Sequence, residues 1–154
     1  MVEEIVELLR IRNETISFME SCTGGYLANQ ITNVEGSSDV LKVSLVTYSD
    51  EYKIEFGVSE DTINERGVYS KYTSKEMAER AAEFAESDWG IGITGVLGDE
   101  EEENFADYTI YYENQSYGST ITSIEESTRE KRKAFVCKCI FSTLLELLQE
   151  KGIE

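Results

Sequence analysis

A chain of 154 residues with 40% hydrophobic content is long enough for one packed domain and too short for two ordinary ones. Its 31 acidic against 14 basic residues give a formal charge of −17, which repels nucleic acid and any anionic small molecule that meets no local positive group. Histidine is absent, which removes Ser-His-Asp and Cys-His mechanisms and leaves Lys, Tyr, Asp, Glu or a terminus as the general base.

In chain order, Met1-Val2-Glu3-Glu4 lacks the basic start and apolar middle of a signal peptide. No run of about 18 apolar residues follows, so a cytoplasmic location with no membrane partner is expected. Residues 2–13 place Val2, Ile5, Val6, Leu8 and Leu9 on one helical face. Residues 15–19 read as a short strand, residues 20–25 (ESCTGG) as a turn, and residues 24–32 as the helix it opens. Residues 33–39 are polar and loop-like, and the alternation in residues 41–48 (LKVSLVTY) predicts a second strand. Residues 49–56 and 59–65 read as helical turns, with Ser59 a candidate cap.

Thr73-Ser74-Lys75-Glu76 fits a capping box, opening a helix that turns Met77, Ala81, Ala82 and Phe84 inward. Residues 89–94 (WGIGIT) form a Gly-rich, apolar strand suited to burial. The loop at 95–104 carries five consecutive acids, Asp99-Glu100-Glu101-Glu102-Glu103. Residues 105–113 and 118–124 pair around the turn Asn114-Gln115-Ser116-Tyr117. A second capping box, Ser127-Thr128-Arg129-Glu130, opens a long helix to residue 150. Within it Cys137 and Cys139 point different ways, so core packing accounts for both and no metal site is expected. Three cysteines without a secretory start also argue against a disulfide framework. Strands and helices that alternate and then give way to a hairpin predict one α/β domain over residues 1–154, a mixed, mostly parallel sheet with helices on both faces.

In such a domain ligands bind where strand ends meet helix starts, and three stretches converge there. Residues 20–25 offer the Ser21, Cys22 and Thr23 side chains beside the backbone N–H groups of Thr23, Gly24 and Gly25. Residues 48–53 (YSDEYK) offer a phenol, Tyr48, and an ammonium, Lys53. The third offers Thr94 and the backbone around Gly95. A serine needs a base, and without histidine the base here is lysine, its pKa lowered from about 10.4 by burial. Tyr48 would relay the proton or hold the lysine, while the turn's N–H groups would stabilise an oxyanion. Cys22 is a second candidate nucleophile. Each part also has a plain structural account: Ser21 as a helix cap, Tyr48 as a strand end, Lys53 as a surface lysine.

Taken together, ESCTGG, residues 48–58 (YSDEYKIEFGV), residues 67–70 (GVYS) and residues 90–95 (GIGITG) resemble, in order and spacing, the CinA C-terminal domain family. The resemblance runs from about Glu3 to Leu148. It implies a three-layer α/β/α sandwich and a nicotinamide-nucleotide amidohydrolase, which converts nicotinamide mononucleotide to nicotinate mononucleotide and ammonia. On that basis Ser21 is the nucleophile, Tyr48 and Lys53 activate it, and Glu20, Cys22, Thr23, Gly24, Gly25, Thr94 and Gly95 line the substrate site. It further implies a small-molecule substrate such as a pyridine nucleotide, no cofactor or metal, and a homodimer or higher homo-oligomer.

Three departures bear on activity. The family's Gly-Pro-rich loop is replaced by Val96-Leu97-Gly98 and the acidic run, which would repel a phosphate. Its Lys-Pro-Val-Gly segment appears as Asn104-Phe105-Ala106-Asp107. Asp50 stands where asparagine is common, and a carboxylate there would raise the pKa of Lys53, the wrong direction for a base. The alternatives are a diverged binding or interaction module, or an amidase for a non-phosphorylated substrate.

Overall fold

The computed structural model describes residues 1–99 and 103–152. Its strands are Ile16–Glu20 (β1), Leu41–Val46 (β2), Trp89–Val96 (β3), Phe105–Tyr112 (β4) and Gln115–Ile121 (β5). Its helices are Val2–Arg12 (α1), Tyr26–Thr32 (α2), Asp50–Glu55 (α3), Glu60–Arg66 (α4), Lys71–Ala85 (α5) and Arg129–Glu150 (α6). The strands form one mixed sheet in the order β2-β1-β3-β4-β5. The first three run parallel, and β4 and β5 add an antiparallel hairpin.

Residue parity along each strand assigns the two faces. Ile16 and Phe18 of β1, Trp89, Ile91 and Ile93 of β3, and Tyr108 and Ile110 of β4 pack with buried residues of α1, α2 and α6. Met19 of β1 faces the other way, against Val58 and the α5 residues Met77 and Ala81. Helices therefore cover both faces, as a three-layer sandwich requires. Gly90 and Gly92 let α5 lie directly on β3: a Cβ at either would stand 2.2 Å from a carbonyl oxygen, that of Ala78 or of Ser74. Their role is close packing.

Several boundaries differ from those expected. Helix α5 starts one turn before the Thr73–Glu76 box, capped by Ser70, whose hydroxyl accepts from the Thr73 N–H. Thr73 is unavailable as a cap because it is buried and its hydroxyl donates to the Gly67 carbonyl. The cap of α6 is Thr128 instead of Ser127. Phe84, expected inward, is exposed and meets Phe56 edge-on. The hairpin turn is only Glu113-Asn114, both at positive φ, so residues 115–117 belong to β5. Among the polar residues 33–39, Ser37–Asp39 forms a 3₁₀ turn. Ser59 caps α4 as expected, Cys137 is buried, and Cys139 is half-buried against the same core.

Candidate active site

The C-terminal edge of β1 gives the site its frame. The N–H of Ser21 donates to the Ile93 carbonyl, which extends the β1–β3 ladder by one residue and fixes the serine beside Thr94. Gly24 and Gly25 then take positive φ, 59° and 97°, a reversal that swings the chain into α2 at little steric cost. Parity sends Ser21 to the α5 face and Glu20 to the α6 face. Glu20 is fully buried, and its carboxylate accepts from the Thr23 hydroxyl (2.7 Å), the Leu27 and Ala28 N–H groups (2.9 and 3.2 Å) and the Ser44 hydroxyl (3.0 Å). Glu20 therefore caps α2 from the preceding strand. Its oxygens point into the scaffold, away from the face on which Ser21 stands, so the structure gives this expected substrate-binding group a scaffold role.

Lys53 comes to the same point from α3. Ser49 caps that helix, accepting from the Tyr52 N–H, and the helix turn carries Lys53 inward until it is only 1% exposed. Its Nζ donates to Ser21 Oγ at 2.9 Å, to the Thr47 carbonyl at 2.6 Å and to the Tyr48 carbonyl at 3.3 Å. No carboxylate forms an ion pair with it among the described residues. Burial pushes the Lys53 pKa below its ordinary value of 10.5, while the charges of Asp50 and Cys22 pull the other way. The expected effect of Asp50 is present and has the expected sign, but desolvation outweighs it. A neutral Lys53 keeps two N–H donors on the carbonyls and turns its lone pair toward the Ser21 hydroxyl.

The other expected residues divide by environment. Cys22 is buried, and desolvation raises its thiol to about 12, so it stays protonated and is a poor nucleophile. The Gly24 N–H is committed to the Ser21 carbonyl and that of Tyr26 to the Thr23 carbonyl. The N–H groups of Thr23 and Gly25 carry no hydrogen bond among the described residues, and that of Cys22 meets only its own thiol. Of the donors expected at Thr23 to Gly25, the Gly24 N–H is thus committed within the turn. Thr94 is fully buried, and its hydroxyl donates to the Val68 carbonyl, so it ties the segment before α5 to the sheet. Gly95 meets a packing demand, since a Cβ there would lie 2.4 Å from the Phe105 carbonyl oxygen. Tyr48 is 63% exposed, and its hydroxyl accepts from Arg129 at 3.2 Å. Its phenol does not bridge Ser21 and Lys53; the Tyr48 main chain holds the lysine instead.

Two groups at this edge were missed. Arg129 reaches Tyr48 from the first turn of α6, and Lys133, one turn on, places Nζ 3.4 Å from where a Gly24 Cβ would sit. Both belong to the run Arg129-Glu130-Lys131-Arg132-Lys133, four cations in five residues of a strongly acidic chain. That density was the available signal, and a capping reading of the same residues hid it. Arg132, between them, pairs with Asp99 and also bonds the Glu126 carbonyl. One charge of the acidic run is thus neutralised. Residues 100–102 lie outside the described residues.

Among the described residues no group of His, Cys, Asp and Glu has metal-binding geometry, and no helix is long and apolar enough to cross a membrane.

A family model described as the CinA C-terminal domain matches residues 1–151. A putative competence-damage inducible protein of Caldanaerobacter subterraneus is 44% identical over 99 residues, 64% of this chain and 24% of that protein. A CinA-like protein of Endomicrobium trichonymphae is 47% identical over 92 residues, 59% of this chain and 22% of that one. The aligned residues thus span about a quarter of the length of these relatives. A crystal structure of a CinA superfamily protein from Klebsiella pneumoniae superposes with a TM-score of 0.90 at 22% identity, covering 97% of this chain and 96% of that one. Another, from Escherichia coli, gives 0.85 at 25% identity over 96% and 90%.

Proposed function

The chain belongs to the CinA C-terminal domain family, and from that premise we propose that it is a serine amidohydrolase of the nicotinamide-nucleotide type. One observation carries the reading: in a protein without histidine, the buried Lys53 Nζ lies 2.9 Å from Ser21 Oγ.

Neutral Lys53 accepts the Ser21 proton as Oγ bonds to the carboxamide carbon. The carbonyl π pair moves to oxygen, and the oxyanion is held by the Cys22 and Thr23 N–H groups. The intermediate collapses, the C–N bond breaks, and Lys53 returns the proton to the leaving nitrogen, which departs as ammonia. Water then attacks the acyl ester, giving its proton to Lys53. The serine is regenerated and the carboxylic acid released. The Thr47 and Tyr48 carbonyls steer the lysine throughout, and Glu20 keeps the turn rigid from behind.

Arg129 and Lys133 supply the local positive charge that an anionic substrate needs against the overall −17. This supports a phosphorylated carboxamide, nicotinamide mononucleotide in the first instance. The test is ammonia release from that nucleotide. Wild-type protein is expected to release it and Ser21→Ala to fall by at least about a thousandfold. Equal rates for the two would end the proposal.

A further inference from the structure

A cavity of about 460 Å³ opens between α5 and the edge strand β5. It lies three strands from β1, roughly 14 Å at the usual strand spacing, and takes no part in the reaction proposed for Ser21. Residue parity builds one wall: Ser116, Gly118 and Thr120 of β5 share a face, and Gly118 lies opposite Thr109 of β4. Lys71 and Lys75, one turn apart on α5, supply the other wall together with Tyr72. Gly118 makes the opening. A Cβ there would stand 3.2 Å from Thr109 Oγ1, so a side chain at this position would fill the space in front of that hydroxyl.

The charge of the cavity runs against that of the chain. Acidic residues number 31 against 14 basic ones, yet two lysines line the cavity and no carboxylate does, among the described residues. The Arg66 guanidinium lies 4.7 Å from the centroid of the Tyr72 ring and the Lys71 ammonium 5.4 Å from it, which brings a third cation to the same rim. Neither Arg66 nor Lys71 forms an ion pair among the described residues, and Lys75 meets Glu79 only at 3.9 Å. An anion is therefore the complementary occupant.

The floor adds a second requirement. The Ser74 hydroxyl donates to the Lys71 carbonyl, so the Thr109 hydroxyl is the donor in its contact with Ser74. The Thr120 hydroxyl donates to Asp107, which does not itself line the cavity. Both threonine protons are committed, and the oxygens are left with lone pairs that accept from a ligand hydroxyl. An anionic head on the lysines and hydroxyl donors over the floor describe a phosphorylated sugar or polyol, and the volume is in the range of small-molecule sites.

We propose that this cleft is a binding site for a phosphorylated sugar or polyol, separate from the Ser21 site. It stands whether or not Ser21 is a nucleophile. Glucose 6-phosphate, glucose and inorganic phosphate are titrated into the isotope-labelled protein, and the backbone amide signals are followed by NMR. Glucose 6-phosphate is expected to shift the amides of residues 71–75 and 116–120 saturably, and to bind at least about tenfold more tightly than glucose or inorganic phosphate.

Two variants remove the site in different ways. Lys71→Ala with Lys75→Ala takes away the cations, and Gly118→Val fills the floor with a residue suited to a strand at no change of charge. Each is expected to weaken glucose 6-phosphate at least about tenfold, and either suffices if the other does not fold. Lys42→Ala with Lys138→Ala, two exposed lysines elsewhere, changes the net charge equally and is expected to stay within about twofold of wild type. Shifts confined to the Ser21 edge, no shifts at all, or wild-type binding by the folded variants overturns the assignment. Inorganic phosphate binding as tightly as the sugar phosphate overturns it as well. So do shifts at residues 71–75 and 116–120 that follow protein concentration without any ligand, which would give the cleft to a second copy of the chain.

Discussion

The two edges of one sheet each hold a carboxylate with four hydrogen bonds, Glu14 at one and Glu20 at the other, and differ in how they treat a buried cation. At the N-terminal edge of β1 and β3, the Glu14 carboxylate receives four hydrogen bonds. Two come from Arg12, one from Trp89 Nε1 and one from the Tyr112 hydroxyl, while Trp89 and Tyr112 stack at 3.9 Å. Burial pushes the Glu14 pKa up, but the bonds from Arg12, Trp89 and Tyr112 outweigh it and hold the pKa below its ordinary value. At the C-terminal edge the buried Lys53 forms no ion pair among the described residues and is held by Ser21 Oγ and the Thr47 and Tyr48 carbonyls alone. A carboxylate paired with a cation locks a fold, whereas a buried cation with only neutral partners is kept near deprotonation at the cost of stability.

Lys53→Met breaks the contrast most sharply. It is expected to lower kcat for ammonia release by about a hundred- to ten-thousandfold, the usual worth of a general base. The same pair of proteins has a stability signature. Because the folded state lowers the Lys53 pKa, wild type sheds a proton before the unfolded chain does. Its stability relative to Lys53→Met therefore rises as pH climbs from the folded pKa to the ordinary value of 10.5. Thermal melts of both proteins across that range check the sign.

Glu14→Gln probes the opposite edge. It turns an amide N–H toward existing donors and should cost about 1–3 kcal/mol, several degrees of Tm, with kcat unchanged. A lowered carboxylate pKa stabilises above the unfolded value and loses that effect as pH falls through the folded one. The melting curves of wild type and variant should therefore converge below pH 4.5. A loss of activity without loss of stability would mean that the edges are not independent. The smallest change is Asp50→Asn, which removes the charge opposing Lys53 deprotonation. The rising limb of the kcat/KM–pH profile should move to lower pH, and a move to higher pH would contradict the electrostatics.

Much of the site was legible because local spacing carries it. ESCTGG had to be a strand-to-helix turn, and the absence of histidine left Lys53 as the partner for Ser21. Glu20 shows what adjacency hides. It neighbours the nucleophile in sequence, yet strand parity puts it with Ile16 and Phe18 on the other face, so counting by twos along β1 would have placed it. The glycines of β3 read the same whether they serve a ligand or a helix, and only the position of α5 decides. The run at residues 129–133 shows its charge in the sequence, but that Arg129 and Lys133 reach this edge depends on tertiary packing, which no local pattern encodes.

The central claim is that Lys53 is a base kept ready by burial beside Ser21, and the protonation of its Nζ is the direct test. In a heteronuclear NMR titration with the Lys53 signal assigned by its loss in Lys53→Met, the nitrogen should titrate below the ordinary lysine value of about 10.4. Its midpoint should coincide with the rising limb of kcat/KM. Titration at or above that value would contradict the account.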